Sequence, residues 1–520
     1  MDTGRTRASS SRRSFRRALT LAVVLLTVIA AAAGVAVASR SVGLHHGRGG
    51  FARGASSSSR IAARVTLAGG SPIIIPRSFL GISSEYWTIP IWARQAVLLH
   101  RVFSMLSTDG PVRLRIGGDS ADRALWSPKR ELPEWVFELT PSWLRSATRI
   151  VDQTGTQVIL DLNTMSSTPR LAARWAKMAT AGLPQGSIRA FEVGNEPDIY
   201  NQSKWQHMTA GRGAPPAPSH ITAESYARSF AAYANAVARV AHGVSLLAPS
   251  LAEPQKNSIW ITKLLALPHP KLTAITAHRY PYSACARPGA PTFPSIPRVL
   301  SENATAGMGR TAHELEHITD PARLPLWLTE INSVTCGGTK GVSNTFATAL
   351  WAPDALFELI RAGTEAAFVH VRPPLVNMAF SLTRAGLTAR PLLYGLVIFS
   401  RMLGPGAKLI PLHLSAPKSP KLKAWAVRTS DRVMHVLLLN KGDRSVRVGL
   451  GLPLTGVATY QRLRAPNITS TTHVTLDGQH LNQAAAWAGK PVAQHLLGPT
   501  DRLSIAVPAH SAALVTAHLR

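Results

Sequence analysis

Short apolar runs alternate with longer amphipathic stretches through the middle of the chain, and this alternation constrains the fold more than any other feature. Six runs have the length and composition of buried strands; they are residues 112–118, 157–163, 189–195, 272–278, 324–330 and 366–371. Apolar residues recur at helical spacing between them, as in residues 225–241 and 344–363. Strands that alternate with helices predict an α/β fold with a parallel sheet.

Two architectures are built from such units, a closed barrel and an open doubly wound sheet. The open sheet favours a glycine-rich phosphate loop after its first strand, and the sequence has none. We therefore expect a (β/α)8 TIM barrel over residues 79–404. Residues 405–520 contain short β-rich runs separated by turns, which predict an all-β sandwich. Strand-like runs within residues 62–78 precede the barrel, and we expect them to join that sandwich.

The N-terminus has the order of an export segment. Six arginines lie within residues 1–17, and an uncharged apolar run follows over residues 18–38. The motif SRRSF resembles a twin-arginine signal. Residues 1–39 are therefore expected to be a signal peptide or an N-terminal membrane anchor, and residues 40–61 a flexible linker. Either way the body is expected to be secreted, or held on the outer face of the cytoplasmic membrane.

The chain is strongly basic, with a formal net charge of +30. Such a charge favours an anionic partner such as an acidic polysaccharide, although a coding bias towards arginine explains it equally well. The basic residues after the N-terminus are scattered and form no block with interleaved aromatics. Nucleic acid is therefore not an expected partner.

Two glutamates end predicted strands. Glu196 lies in EVGNEPD and Glu330 in WLTEINS, 134 residues further on (330 − 196). Barrel enzymes carry their active sites at the carboxyl ends of the strands. Cleavage of a glycosidic bond needs two carboxyl groups there, one to protonate the leaving oxygen and one to attack the anomeric carbon. The spacing leaves room for three β/α units, so strands four and seven would carry the pair.

At this point the sequence resembles glycoside hydrolase family 79, the heparanase and β-glucuronidase family of clan A. The resemblance covers roughly residues 63–520 and rests on the order of several motifs. These are GISSEYW (81–87), LRIGGDSAD (114–122), FEVGNEPDIY (191–200), AHRYPY (277–282), WLTEINS with CGG (327–338) and RPLLYGLVIFSRML (390–403).

The resemblance implies roles for individual residues. Glu196 would be the acid/base, Glu330 the nucleophile, and Tyr280 the tyrosine that orients the nucleophile. Asn195 would bond the sugar 2-hydroxyl. Further residues implied to contact the sugar are Glu85, Asp119, and the backbone amides of Gly337 and Gly338, which would receive a uronate carboxylate.

The sequence departs from the family after strand eight. Bacterial members often carry a uronate-binding tyrosine there, whereas residues 368–380 contain none. Arg372 is the alternative ligand for a carboxylate. Asn163 is expected to line the cleft at the end of strand three. His278 is interpreted as a core residue, and no metal or cofactor is expected because no ligand set has suitable spacing.

The sequence leaves three functions open. The leading one is a retaining β-glucuronidase-type exo-glycosidase, acting on an oligosaccharide or polysaccharide. The second is a clan A glycosidase for neutral sugars, of the β-xylosidase or arabinofuranosidase type. The third is a non-catalytic polysaccharide- or wall-binding protein.

Cys285 and Cys336 are the two cysteines of the chain. Cys285 lies seven residues past His278, and Cys336 lies six residues past Glu330. Loops that follow adjacent barrel strands lie side by side at one rim, so the two residues can approach within bonding range. An exported location permits a disulfide to persist. We therefore expect a Cys285–Cys336 bridge.

Overall fold

The structure is a computed structural model. It describes residues 62–520, apart from 127–131, 210–214, 216, 219, 269–270, 417–420, 493 and 500–502. The expected signal segment (1–39) and linker (40–61) lie outside the described residues. Within the described part of the chain, no helix is both long enough and apolar enough to cross a membrane.

Eight parallel strands close into a barrel, as expected. In chain order they are β1 Leu80–Glu85, β2 Arg113–Gly117, β3 Val158–Leu162, β4 Ile188–Val193, β5 Ser245–Leu251, β6 Leu272–Arg279, β7 Leu326–Ile331 and β8 Ala366–His370. Each pairs with the next, and β8 pairs with β1. Six of the eight strands match the runs predicted from the sequence, and β1 and β5 were not predicted. Two serines in β1 and Pro249 in β5 weaken their strand signal.

A helix that packs on the outside of the barrel follows each barrel strand. These helices are α1 Ala96–Leu106, α2 Pro141–Thr154, α3 Pro169–Gly182, α4 Ala223–Ala238, α5 Ile259–Leu265, α6 Ala306–Thr319, α7 Phe346–Arg361 and α8 Pro391–Ser400. Shorter helices are Ile89–Ala93, Ser203–Thr209, Pro254–Asn257 and Ile296–Val299. The 3-10 turns are Tyr86–Thr88, Gly118–Arg123, Pro197–Ile199, Glu302–Ala304 and Asp320–Ala322.

Threonine–proline pairs begin two of these helices. The hydroxyl of Thr140 accepts the N–H of Trp143, and the hydroxyl of Thr168 accepts the N–H of Leu171. The proline that follows each threonine takes the first helical position, where its missing N–H costs no hydrogen bond. Short sequence signals therefore determine where α2 and α3 begin.

Two β-sheets form the remaining β-rich region. The four-stranded sheet has the order Leu412–Ser415, Ala63–Leu67, Val446–Gly451 and Leu503–Val507. The larger sheet has the order Ile73–Ile74, Lys408–Ile410, Leu422–Arg428, Val433–Asn440, Ser511–His518, Val457–Arg464 and Thr475–Leu476, with His495–Leu497 beside Val457–Arg464. Strands before the barrel thus pair with strands after it. Two-stranded pairs are Ala124–Trp126 with Phe137–Leu139, Tyr282–Ser283 with Val334–Thr335, Phe380–Thr383 with Gly386–Ala389, and His480–Leu481 with Trp487–Ala488.

The larger sheet lies between two apolar cores, because its side chains alternate between the face towards the four-stranded sheet and the face towards the barrel. In strand Val433–Asn440, Val436 and Leu438 pack into the core between the two sheets. Leu437 and Leu439 point the other way, into the core that the sheet shares with the barrel. Period-two alternation therefore buries both faces of this strand.

Helix α7 is buried on all sides because the sheet covers the face that would otherwise meet solvent. Its Phe357 stacks on Trp425 of the sheet with ring centroids 5.4 Å apart. Its Asp354 accepts the indole N–H of Trp425 at 2.8 Å and pairs with the buried Lys441. The β-rich region is consequently packed against the barrel by apolar and ionic contacts together.

Candidate active site

Glu196 lies three residues past the end of β4, in a backbone conformation that is unusual for a residue with a side chain. Its φ of +53° lies in the left-handed region, which costs free energy and persists only where surrounding contacts enforce it. The N–H of Glu196 donates to the carbonyl of Ser250 at the end of β5. Asp198 anchors the following turn by accepting the N–H groups of Ala252 and Glu253. These contacts aim a side chain that is 20% exposed into the barrel mouth.

Glu330 lies on β7 and faces Glu196. A carboxylate oxygen of each residue lies within 4.8 Å of the other. The hydroxyl of Tyr280 donates to Oε2 of Glu330 at 2.8 Å, which is the contact that the resemblance implies. Nη1 of Arg115 donates to Oε1 at 2.8 Å, and Nδ1 of His370 lies 3.2 Å from the same oxygen. Three side chains therefore fix the orientation of this carboxylate.

Arg115 lies fully buried inside the barrel and joins carboxylates from three other strands. It pairs with Asp161 of β3, Glu192 of β4 and Glu330 of β7 at 2.7–2.8 Å. Its Nη2 also donates to Oδ1 of Asn195 at 3.0 Å. Arg115 has no role among the residues predicted from the sequence, although it lies with Arg113 in a strand whose other residues are Leu, Ile and Gly. A charged residue inside such a run was the available signal, since buried charges need partners.

The two glutamates have pKa values that are shifted in opposite directions. Burial raises the pKa of Glu196, against the hydrogen bond and charge of His278, and the nearby Glu330 adds to the rise. Burial would also raise the pKa of Glu330, but its positive surroundings outweigh burial and lower the pKa to about 2. The groups that lower it are, from the largest effect, His370, His278, Arg115 and Tyr280. One carboxyl group therefore tends to hold a proton while the other is ionised.

His278 is buried in the core, as expected, and it also contacts the site. Its Nδ1 lies 2.9 Å from Oε1 of Glu196 and 3.7 Å from Oε2 of Glu330. Its Nε2 lies 2.9 Å from the hydroxyl of Ser250. Burial lowers the pKa of His278, but the charge of Glu330 and the hydrogen bond to Glu196 raise it above its usual value. The interpretation as a core residue alone was thus incomplete.

Glu196, His278 and Glu330 also have a donor set that suits a metal ion. One ligand atom from each lies within 4.8 Å of the other two, and imidazole with carboxylates is a set that Zn²⁺ accepts. The same atoms belong to the carboxyl pair, so a cation there would occupy the reaction centre. That no metal takes part stays a prediction.

A second cluster lies beside the pair, at the ends of β1, β2 and β8. Nη1 of Arg372 lies 3.1 Å from Glu85 and 2.8 Å from Asp119. Burial raises the pKa of Glu85 to about 7; Arg372 opposes this shift, and Asp119 adds to it. His370 links this cluster to Glu330, since its Nε2 lies 3.9 Å from Glu85. The structure therefore brings together Glu85, Asp119 and Arg372, which lie far apart in the sequence.

The two asparagines that the sequence analysis places in the cleft differ. Asn195 is 2% exposed and is held by Arg115 and by Asp122, to which its amide donates at 3.4 Å. Asn163 donates to the carbonyl of Ala124 and to Ser166, and its oxygen accepts the N–H of Ser166. Asn163 thus holds the loop after β3 instead of presenting its amide to a ligand, which departs from the expectation.

The glycines beside the nucleophile strand form a tight turn. Gly337 and Gly338 have φ of +79° and +84°, so both use the left-handed region that glycine adopts without a steric penalty. The N–H of Gly338 donates to the carbonyl of Thr335 at 3.2 Å. This amide is used within the turn, and the expectation that the amides of Gly337 and Gly338 receive a uronate carboxylate stays a prediction.

The expected disulfide is present. Cys285 and Cys336 are bonded, with Cα atoms 5.8 Å apart. Just before them, Tyr282–Ser283 pairs in parallel with Val334–Thr335. The loops after β6 and β7 are therefore joined both by a short ladder and by a covalent bond.

Comparisons with known proteins agree with this geometry. No family model matches the chain. A curated β-glucuronidase from Aspergillus niger is 24% identical over 510 residues, covering 85% of this chain and 89% of that protein. Among solved structures, a 4-O-α-L-rhamnosyl-β-D-glucuronidase from Fusarium oxysporum matches with a TM-score of 0.69 and 18% identity, covering 87% of this chain and 99% of the other.

A second solved structure with a similar fold is an arabinofuranosidase. The GH51 arabinofuranosidase from Xanthomonas axonopodis pv. citri matches with a TM-score of 0.64 and 17% identity, covering 88% of this chain and 100% of the other. At these identities the structural matches establish the shared fold. The chemistry must be argued from the site, where two carboxyl groups with oppositely shifted pKa values face each other.

Proposed function

We propose that this chain is a retaining glycoside hydrolase of glycoside hydrolase family 79 that cleaves β-glucuronides. One observation carries the proposal. A carboxylate oxygen of Glu196 lies within 4.8 Å of a carboxylate oxygen of Glu330, and the pKa values of the two groups are shifted in opposite directions. Retaining glycosidases place the two carboxyl groups about 5–5.5 Å apart, whereas inverting enzymes leave about 6.5–9.5 Å for a water molecule. The short separation supports retention.

In the proposed mechanism each carboxyl group has its own role. The ionised Glu330 attacks the anomeric carbon, and Glu196 gives its proton to the departing oxygen. The resulting ester between the sugar and Glu330 is then hydrolysed by water, whose proton returns to Glu196. Arg115 and Tyr280 hold Glu330 in the attacking orientation and stabilise its charge.

Arg372 supports a uronate as the substrate. It is a cation beside the carboxyl pair, its side chain is 28% exposed, and guanidinium binds carboxylate through two parallel hydrogen bonds. The Aspergillus niger relative is named for the same activity.

A neutral sugar is the second candidate, and the charge of the same cluster favours it. Arg372 already pairs with Glu85 and Asp119. Above the raised pKa of Glu85, about 7, both carboxyl groups are ionised and the cluster is net negative, which opposes a further carboxylate. The fold that the chain shares with an arabinofuranosidase is consistent with this candidate.

Hydrolysis of a panel of aryl glycosides distinguishes these candidates. We expect the β-glucuronide to be cleaved with kcat/KM at least about tenfold above the β-xyloside and α-arabinofuranoside, and the first product to keep the β-configuration by NMR. Preference for a neutral sugar would identify the second candidate. A product of inverted configuration would refute the assigned mechanism.

Substitutions in the pair test the chemistry directly. Glu330→Gln should abolish turnover of every substrate. Glu196→Gln should lower kcat by about 10²–10⁴ for poor leaving groups and by less for activated aryl groups, which need little protonation. Glu253→Gln, at an exposed position after β5, is the matched control and should retain activity. Binding of oligosaccharide without turnover by the wild type would instead favour a non-catalytic binding protein.

We also propose that the chain is exported. The basic, apolar and small-residue order of residues 1–39 supports this, and a disulfide persists in oxidising compartments. Replacing Arg12 and Arg13 with lysine should retain the protein in the cytoplasm if the twin-arginine signal is used. Unchanged export of that variant would contradict this route.

A further inference from the structure

A basic surface pocket lies in the β-rich region, apart from the active site. It encloses about 570 Å³ and is lined by Gly406, Lys408, Arg428, Thr429, Ser430, Arg432, Pro453, Leu519 and Arg520. Four of these side chains are cationic and two are hydroxyls. Among the described residues, no Asp or Glu side chain lies within 4.0 Å of the four cationic groups. The main-chain oxygen of Arg520, the last residue of the given sequence, accepts from Arg432, so the positive charge of the lining is compensated only in part.

Two of the cationic residues lie directly opposite each other on neighbouring strands. Lys408 and Arg428 are direct Cα partners in the antiparallel pairing of Lys408–Ile410 with Leu422–Arg428. Like charges at directly opposite positions destabilise a sheet. Asp431, the nearest acid in sequence, accepts instead from the hydroxyl of Thr429 at 2.5 Å. The fold thus tolerates a repulsion that a bound anion would relieve.

Two tight turns give the pocket its shape. Gly406 has φ of +65°, and Arg432 has φ of +62° although it carries a side chain. The N–H of Ser430 donates to the carbonyl of Pro405, and the side chain of Arg432 donates to the carbonyl of Arg520. Backbone contacts thereby join the segments that carry the cations.

The pocket lies at the opposite end of the barrel from the glutamate pair. Helix α8 (Pro391–Ser400) returns the chain to the amino ends of the barrel strands, and Gly406 and Lys408 follow it. Glu196 and Glu330 lie at the carboxyl ends. The pocket consequently contributes nothing to bond cleavage, and a ligand there would hold the enzyme on a large molecule.

We propose that this pocket anchors the protein to an anionic polysaccharide, with carboxylate or sulfate groups paired to Lys408 and Arg428. The exposed hydroxyl group of Ser430 suits a sugar chain, whereas the described lining has no aromatic side chain on which a nucleobase could stack. The concave shape fits a chain better than a membrane surface. The choice of a sugar polymer rests on the proposed glycosidase function; the choice of an anion does not.

The test is binding of polygalacturonate to the full chain carrying Glu330→Gln. Adding Lys408→Gln and Arg428→Gln should weaken binding at least about fivefold, because two charge pairs are lost. The matched control is Arg145→Gln with Arg149→Gln, which removes the same charge from another surface cavity, on helix α2. The control should bind as tightly as its parent. Neutral dextran should bind to none of these proteins.

Further measurements separate anchoring from other effects. With Glu330 intact, the pocket variant should hydrolyse a small aryl glycoside at the wild-type rate, and its Tm should not fall because a repulsion has been removed. Equal weakening in the control, or unchanged binding in the pocket variant, would overturn the proposal. Equally tight binding of duplex DNA or phosphatidylserine vesicles would show a general polyanion surface instead. Failure to cleave glucuronides would refute the proposed function without affecting the binding result.

Discussion

At the scale of single residues, the site depends on how charge is distributed between two glutamates. Glu330 is surrounded by donors and cations, whereas Glu196 has one imidazole contact and an exposed edge. The strained backbone of Glu196 is held by the carbonyl of Ser250. Local chemistry therefore shifts the pKa values of two identical side chains in opposite directions, as the proposed acid and nucleophile require.

The pH dependence of activity should follow from these opposite shifts. Activity needs Glu196 protonated and Glu330 ionised, so it should fall as pH rises through the raised pKa of Glu196. Since His278 lowers that pKa, His278→Leu should move the alkaline limb of kcat/KM to higher pH. His313→Leu, at an exposed position on α6, should leave the profile unchanged. A limb that moves to lower pH would contradict the role of His278.

Removing the buried guanidinium should damage both stability and activity. Arg115→Met would leave Asp161, Glu192 and Glu330 facing one another without a cation, at a cost of about 3–5 kcal/mol in the free energy of unfolding. The pKa of Glu330 should also rise, because Arg115 lowers it. Urea denaturation and the acid limb of the pH profile measure the two effects. Arg174→Met, on the exposed face of α3, should change neither.

At the scale of elements, the carboxyl ends of β6 and β7 and their loops form the wall of the site. Tyr280 follows β6, Glu330 lies in β7, and the disulfide joins the loops beyond them. The parallel pairing of Tyr282–Ser283 with Val334–Thr335 continues the contact past the barrel. This wall positions both Glu330, the proposed nucleophile, and Tyr280, which donates to it.

The disulfide should contribute measurably to stability. It spans a sequence separation of 51 residues, for which the chain-entropy model gives about 4 kcal/mol. Cys285→Ser with Cys336→Ser should lower the free energy of unfolding by that order and raise KM more than it lowers kcat. Reduced wild-type protein should behave like the double variant. Equal stability of the oxidised and reduced forms would show that the bond is incidental.

At the scale of the whole molecule, the segment before the barrel completes the sheet after it. Strand Ala63–Leu67 lies between Leu412–Ser415 and Val446–Gly451, and its Val65 is fully buried. The larger sheet in turn shares an apolar core with α7 and α8 of the barrel. Folding of the barrel and of the β-rich region should therefore be coupled.

A substitution in that first strand tests the coupling. Val65→Ala should lower the free energy of unfolding by about 2 kcal/mol through lost burial and the cavity left behind. Leu67→Ala, in the same strand but 47% exposed, should have little effect. Calorimetry should show one transition that moves as a whole. Two separate transitions, with only one shifted by Val65→Ala, would show that the two regions unfold independently.

The sequence by itself determined the features that depend on local order along the chain. Alternating strand and helix periods predicted the barrel, and β-rich texture predicted the second region. Parallel strands bring their carboxyl ends to one rim, so the ends of β4 and β7 sufficed to pair Glu196 with Glu330. The same reasoning placed Cys285 beside Cys336.

Only the tertiary structure decided which groups surround those residues. Arg115 meets carboxylates from β3, β4 and β7 because the barrel interior is closed, and no sequence spacing encodes that convergence. The side-chain amide of Asn163 and the backbone N–H of Gly338 are engaged in hydrogen bonds near their own loops. One side of helix α7 packs against the barrel, and the larger sheet covers its other side. Such contacts join residues far apart in the chain, so they exist only once the fold has formed.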